Sequence, residues 1–412
     1  MADPSAIPLS LADIGLDMFD PEAIARPHEF YARLREEAPI VWSDQTEAWV
    51  LTRYDDVSRV LRDHERFSSV RRQGERAIRG QVVEQVAPVG TKQMLGADRP
   101  DHTRLRKLLS LDFVPRKISP WQPRIEEICA ETLHSASKTA EFDVVRGIAE
   151  PLPVTIIAEL LGIPSALGRQ FKAWSDAAIE PLPPTADHET VQTRNSHIAK
   201  FRAYLQARID ERHENPSDDL IGRLVAAHED DGRLTDAEVL AAVNLLLLAG
   251  NETTTNLISN ATLALAKFPE RQKELREHPE LLDGAVEEFL RYDGSVQYTS
   301  RVLMAPAEFQ GRMLDAGESV VVVLASANRD DRVFDNPDML DFHRPKHKHL
   351  GFGDWIHICL GQFLARIETR AALKAILEEY DDFELAIPET DIPYRPSFNL
   401  RGPRFLPIRE RS

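Results

Sequence analysis

Cys359 sits in "FGDWIHICLG", residues 352 to 361, with His357 two places before it and glycines at 351, 353 and 361 around it. A helical pattern follows. Leu360, Phe363, Leu364, Ile367, Ala371 and Ala375 fall on one face, so a helix begins at or just after the cysteine. A sulfur at a helix N-terminus meets unsatisfied N–H donors and the positive end of the dipole, and both favour thiolate over thiol. A thiolate is a nucleophile or a metal ligand; the plainer reading is a buried structural cysteine. The second candidate set is Glu252 and Thr253 in "LLLLAGNETTTN". An acid and a hydroxyl follow an apolar run there, where a buried carboxylate is costly unless partnered. The plainer reading is that Glu252 faces solvent. A third set is Glu288 and Arg291 in "VEEFLRY", spaced to pair on a helix but common on helix surfaces.

The elements that must position these groups are mostly helices. "HEFYARLREEA", "YDDVSRVLRD", "TRLRKLLSLDF", "IEEICAETLHSA", "VTIIAELLGI" and "IAKFRAYLQARIDERHEN" place apolar residues at helical spacing. The best-defined helix starts at Thr235 and Glu238, a capping-box pair, and meets no proline until Pro269. At ~1.5 Å per residue it spans about 50 Å. Gly250 in its middle costs roughly 1 kcal/mol relative to alanine. Strand-like pieces are few: "AWVLTR", "ESVVVVLASAN", "DFELAI" and "FLPIRE". "IEPLPPTADHE", with Pro181, Pro183 and Pro184, is the clearest loop. The expected architecture is mainly α with a small β region, as one domain over residues 1–412.

The chain of 412 residues is 42% hydrophobic and 28% charged, an ordinary globular composition. Its net charge of -17 argues against a nucleic-acid partner. No apolar run is long enough to cross a bilayer, and the N-terminus lacks the pattern of a signal peptide, so a soluble cytoplasmic protein is expected. Two cysteines, Cys129 and Cys359, leave no disulfide framework. Cys129 lies on a helical pattern as a small core residue.

What is specific is the order and spacing of the three sets: Ala-Gly-x-Glu-Thr-Thr, then Glu-x-x-Arg, then Phe-Gly-x-x-x-His-x-Cys-x-Gly. This combination resembles the cytochrome P-450 superfamily, in particular its soluble bacterial members. The resemblance extends to "DRPDHTRLRKLLS", "EEFLRYDGSVQYTSR" and "ASANRDDRVFDNPDMLDF". It implies a single-domain P-450 fold with a b-type heme between the long central helix and the cysteine-loop helix. Cys359 would be the proximal thiolate ligand, with Phe352, Gly353 and Gly361 shaping its loop. His102, Arg106, Arg301 and His357 would hydrogen-bond the heme propionates, each as a cationic donor to a carboxylate. Glu288 and Arg291 would form a structural triad with Arg344 in "DFHRP". Glu252 and Thr253 match the family's acid–alcohol pair; Thr253 would distort the helix locally and hold a water while Glu252 relays protons. Gly250 would leave room for oxygen. The implied activity is a monooxygenase that activates O2 with two electrons from a partner and hydroxylates or otherwise oxidises a small organic molecule.

The resemblance also implies a pocket. Leu245, Leu248, Ala249, Val296 and Phe398 are its candidate lining, mostly apolar, which suits a hydrophobic substrate. Arg71, Arg72, Arg76 and Arg79 border it; they form either a solvated loop or a clamp for a substrate carboxylate. An iron–sulfur or flavin electron donor and a monomeric state are expected. One position departs from the family pattern: Trp355 stands where glycine is usual. Lys346 and Lys348, with His347, would be free positive charge on the donor's side, and Trp355 would be either an aromatic anchor beside them or an inward ring near the sulfur. Two other readings remain. His343, His347, His349, His357 and Cys359 are plausible zinc ligands. A heme-thiolate sensor without catalysis would need no proton relay, against which Glu252 and Thr253 stand.

Overall fold

The computed structural model describes residues 10–15, 17–70, 76–78, 81–83, 85–88, 90–136, 141–179, 186–231, 234–345, 348–395, 397 and 399–411. Lys346 and Phe398 lie outside them, as do His347, Arg71, Arg72, Arg79 and the three prolines of the 179–189 loop.

A single helix, Asp236–Lys267, runs through the molecule. Its start is the expected capping box. The Thr235 hydroxyl accepts from the Glu238 N–H at 3.2 Å and the Glu238 carboxylate accepts from the Thr235 N–H at 2.9 Å. Arg104 pairs with the same carboxylate. It stops where Pro269 opens the next helix, Pro269–Glu277. The flank of this helix carries small polar groups that bond to neighbouring backbone rather than to water. The Thr255 hydroxyl donates to Ala149 C=O at 2.9 Å, and Asn260 Nδ2 donates to Asp293 C=O at 3.0 Å and Arg401 C=O at 3.1 Å. Such bonds set the axial position of a helix that apolar packing alone would leave free to slide.

The helix Gln362–Glu379 follows the cysteine and packs against the central helix and against Gln122–Ala136. Cys129, on the latter, is 1% exposed, and burial pushes its thiol up to about 12; it is a core residue, as its pattern implies.

The largest sheet has five strands in the order Ile40–Ser43, Ala48–Leu51, Ser319–Val323, Tyr298–Leu303, Phe67–Ser68. Only the Ala48–Leu51/Ser319–Val323 pair is parallel. The run Val320–Val323 is apolar throughout because both faces are covered: Val320 and Val322 enter one core cluster, Val321 and Val323 another. The rest of "ESVVVVLASAN" differs from its strand-like reading, since Leu324–Ala327 forms a helical turn. A smaller sheet joins Phe383–Leu385, Pro407–Glu410 and Phe142–Asp143. Among the described residues no helix is long and apolar enough to cross a membrane.

Candidate active site

The cysteine loop is built by backbone. Gly353 N–H donates to Leu350 C=O and Cys359 N–H to Phe352 C=O, both at 2.8 Å. Gly353 has φ +70°, a left-handed angle that glycine adopts at no cost. A Cβ at Gly351 would stand 2.8 Å from Leu290 C=O, so only glycine lets the loop approach that helix. Gly361 caps the following helix and sends its N–H to the Cys359 sulfur.

The loop is tied to the rest of the molecule by buried ions. Glu288 and Arg291, 4% and 2% exposed, form a bidentate pair with both contacts at 2.7 Å. Arg344 Nε reaches both oxygens of Glu288 at 3.2 Å. The expected three residues are therefore together. Arg291 also donates to Asn328 C=O, and the Asn328 side chain accepts from Leu350 N–H at 2.7 Å. That chain of bonds runs from the ion cluster into the cysteine loop. On its other side Glu287 takes His349 at 3.0 Å and Arg366 at 2.5 Å, while Arg366 stacks 4.6 Å over the Phe352 ring.

Cys359 lies deep in the molecule, though the residue as a whole is not fully buried. Burial pushes the thiol up, against the Gly361 N–H and the charges of Arg106 and Arg366. Burial and the helix-end N–H thus act in opposite directions on the sulfur, burial being the larger. A bound cation reverses that balance, since a coordinating thiol is deprotonated outright.

Four basic residues converge beside it. His102 and His357 have ring centroids 4.2 Å apart. His357 is held down to about 3 by burial, then by His102, Arg301 and Arg106. His102 is held down to about 4 by burial and then by Arg106. His102 is 2% exposed, and its Nε2 has no hydrogen-bond partner among the described residues. Basic groups that depress one another around a bare nitrogen are what an anion would relieve. Ser69 holds His357 Nε2 at 2.9 Å.

The central helix opens at one place. Ala249 is exposed and Leu248, Gly250, Glu252 and Thr253 are partly so, within a helix otherwise largely buried. A Cβ at Gly250 would meet nothing within 4 Å. Leu245, Leu248, Ala249, Glu252 and Thr253 share one face by spacing. The Thr253 hydroxyl donates to Ala249 C=O at 2.6 Å, which commits its proton and leaves its lone pairs to accept. The helix is not interrupted there, because a side-chain bond to the i−4 carbonyl leaves the N–H ladder intact. Glu252 does not face solvent: its side chain is 12% exposed and lies 3.9 Å from Arg395. Val296 sits at the edge of the sheet core and bridges to Leu400.

Two expectations need correction. Lys348 is not free charge; it pairs with Asp354, a buried carboxylate that also takes Arg62 at 2.8 Å. Trp355 does not turn inward: it is 56% exposed. Its φ is +57°, in the left-handed region, and Asp354 Oδ1 accepts its N–H at 2.6 Å. The zinc reading fails as well. His343, His349 and His357 go to Glu274, Glu287 and Ser69 respectively, and no metal-binding group of three or more His, Cys, Asp or Glu exists among the described residues.

Sequence reasoning missed Ser69, Asp354, Arg395 and Glu368. Glu368 is 2% exposed, and burial raises it to about 8 against a hydrogen bond from Thr254. Only Asp354, inside the cysteine loop, carried a local signal; the others are recognised by partners more than a hundred residues away.

The family model described as Cytochrome P450 matches residues 21–401. The chain belongs to the cytochrome P450 family. It is 39% identical to nocardicin C N-oxygenase of Nocardia uniformis, over 92% of this chain and 95% of that one. It is 37% identical to the P450 monooxygenase PikC of Streptomyces venezuelae, over 98% and 94%. Among solved structures, the bacillaene polyketide synthase P450 PksS of Bacillus subtilis superposes with a TM-score of 0.85 at 33% identity, covering 96% of this chain and all of that one. This P450 is a heme-thiolate monooxygenase whose cofactor is heme b; it works with a redox partner on small organic substrates. The residues present fit that cofactor. A deep-lying cysteine at the start of a helix suits an iron ligand, and four basic side chains, one of them with a bare buried nitrogen, suit two propionates.

Proposed function

We propose that Cys359 ligates the heme iron, that His102, Arg106, Arg301 and His357 hold the propionates, and that Glu252 and Thr253 carry protons to the opposite face. The observation that carries the reading is the bare, buried His102 Nε2 amid three other basic residues, of which Arg106 acts electrostatically on both His102 and Cys359. Bound there, heme supplies the iron at which O2 is reduced. The chain's own residues do the rest. The Glu288–Arg291–Arg344 cluster keeps the loop from yielding, so the sulfur stays at a constant height. Gly250 and Ala249 leave space above it. Thr253, its proton committed to Ala249, accepts from a water, and Glu252 exchanges protons with that water and with the outside. Leu245, Leu248, Ala249 and Val296 line the pocket for a hydrophobic molecule.

The electron donor docks on the cysteine side. Arg62 and Lys348 share one buried carboxylate, which leaves a net positive charge beside the exposed Trp355 ring on a protein of charge -17. That pattern favours an acidic iron–sulfur or flavin protein, with charge steering the encounter and the ring anchoring it. The protein is a cytoplasmic monomer in this reading, with residues 1–412 as one domain.

The test is spectroscopic. The reduced protein under carbon monoxide is expected to show the red-shifted Soret band of a thiolate-ligated heme. Cys359→Ser should lose the band, and His102→Ala should lose heme faster to apomyoglobin. A Cys359→Ser protein that keeps the band would overturn the ligand assignment.

A further inference from the structure

Asp98 joins two segments of the chain beside the basic cluster. Its carboxylate accepts the Ser69 N–H at 2.8 Å and the Ser68 hydroxyl. Its backbone C=O accepts the His102 N–H at 2.8 Å, at the head of the helix Asp101–Ser110. Ser68 and Ser69 are 4% and 3% exposed. Ser68 ends the edge strand Phe67–Ser68, whose partner strand, Tyr298–Leu303, carries Arg301.

The Ser69 hydroxyl then reaches across the fold. Its Oγ lies 2.9 Å from His357 Nε2, a residue 288 positions away. Among the described residues this is the one hydrogen bond of the His357 ring; Nδ1 has no partner. An imidazole can turn about its Cβ–Cγ bond with little change of shape, and turning exchanges a nitrogen for a carbon at each place. The His102 ring, 4.2 Å away, restricts the tilt of His357 but does not distinguish nitrogen from carbon. A hydrogen bond does. Holding one ring nitrogen decides which nitrogen is left for a ligand, as in histidines that bind metals. A hydroxyl suits the task because it both donates and accepts, so its hold does not depend on which nitrogen carries the proton.

We infer that Ser69 is a positioning residue for the heme propionates: braced by Asp98, it holds His357 Nε2 and so leaves Nδ1 to meet a propionate. Asp98 also places His102 through its backbone, so both histidines take their positions from one residue. The inference rests on the reading of His102 and His357 as propionate partners.

Two readouts on the holoenzyme test it. The first is the rate at which ferric heme passes to excess apomyoglobin. Ser69→Ala should raise that rate roughly three- to tenfold, the worth of one hydrogen bond. Ser69→Thr keeps the hydroxyl and should stay nearer the parent. If Ser69 acts through His357, Ser69→Ala should add nothing in a His357→Ala background. A serine that only braces the sheet edge, or one that meets the propionate itself, gives additive effects in the same double-mutant cycle. The second readout is the propionate bending band in the resonance Raman spectrum, which follows hydrogen bonding at the heme carboxylates. The band should move in Ser69→Ala and, by less, in Asp98→Asn. A purely structural loss would lower the thermal midpoint and leave the band in place.

Additive effects on heme loss overturn the inference, and so does an unmoved band in Ser69→Ala. The two readings fail separately. A His357→Ala protein that keeps heme and band as in the parent removes His357 from the propionates, and the inference falls with that assignment. A His357→Ala protein that loses heme faster, beside a Ser69→Ala protein that does not, overturns the inference alone.

Discussion

The cysteine loop and the open stretch of the central helix face the same chemistry with opposite construction. Around Cys359 every approach is held by more than one bond. Glu288 takes two arginines, Glu287 takes His349 and Arg366, and Asp354 takes Arg62 and Lys348 while capping Trp355. From Leu248 to Thr253 the helix instead has exposed and half-buried residues and a glycine with open space beside it. A metal ligand must not drift, so its loop is over-determined. In the proposed reading a proton carrier has to change position, so a slacker neighbourhood is expected there. Even the strain is placed accordingly. Trp355 in the left-handed region costs about 1–2 kcal/mol, and the Asp354 cap offsets part of it on the side where nothing has to move.

The comparison breaks most readily at Glu288. Glu288→Gln leaves Arg291, 2% exposed, without its buried counter-charge, and loss of one partner of such a pair costs about 3–5 kcal/mol. The expected result is a large fall in thermal midpoint with heme content lost in parallel. A stable, fully heme-loaded Glu288→Gln protein would show that the loop is not held through this cluster.

Glu368 lies between the two regions, on the helix after the cysteine and bonded to Thr254 of the central helix. Burial raises it to about 8 from an ordinary 4.5, so the folded state keeps a proton that the unfolded state releases. Its contribution to stability is full below pH 4.5 and is lost as pH rises toward 8, by up to about 1.4 kcal/mol per pH unit. Glu368→Gln should flatten the stability profile over that window. Glu287 works in the other direction. Held down to about 2 through His349 and Arg366, against the cost of burying it, it contributes above pH 4.5 and fades as pH falls toward 2. Chemical denaturation of Glu368→Gln and Glu287→Gln from pH 3 to 9 separates the two signs.

On the slack side, Thr253→Ala should leave folding and heme binding near the parent while raising the peroxide share about tenfold. Equal coupling of electrons to product in the variant would remove Thr253 from the relay. The smallest effect is expected at Trp355. Trp355→Gly relieves the left-handed residue and should raise stability by about 1 kcal/mol, yet slow reduction by the partner. With an unchanged reduction rate, the ring is no anchor.

The motifs that mattered were legible because each is local. Thr235 and Glu238 are one turn apart, Glu288 and Arg291 likewise, and the glycines, His357 and Cys359 occupy eleven residues; hydrogen-bond geometry over a single turn is written directly in spacing. The strand Ser319–Val323 was legible for the same reason, as an apolar run with two buried faces. The short partner Ile40–Ser43 and the hairpin Ala307–Leu314 were not, since a few residues carry too little periodicity to stand out.

What the chain by itself determined is therefore the class of chemistry: a sulfur at the head of a helix, an acid beside an alcohol in a long apolar helix, and an ion pair to brace the loop. What only the tertiary structure decided is the state of those groups. Folding set burial of the Cys359 sulfur against the N–H of Gly361, drew Lys348 onto Asp354, put Trp355 outside, and gave Glu252 an arginine 143 residues away that Glu150 shares. Charge and protonation depend on distance and on excluded water, and neither is a property of spacing along the chain.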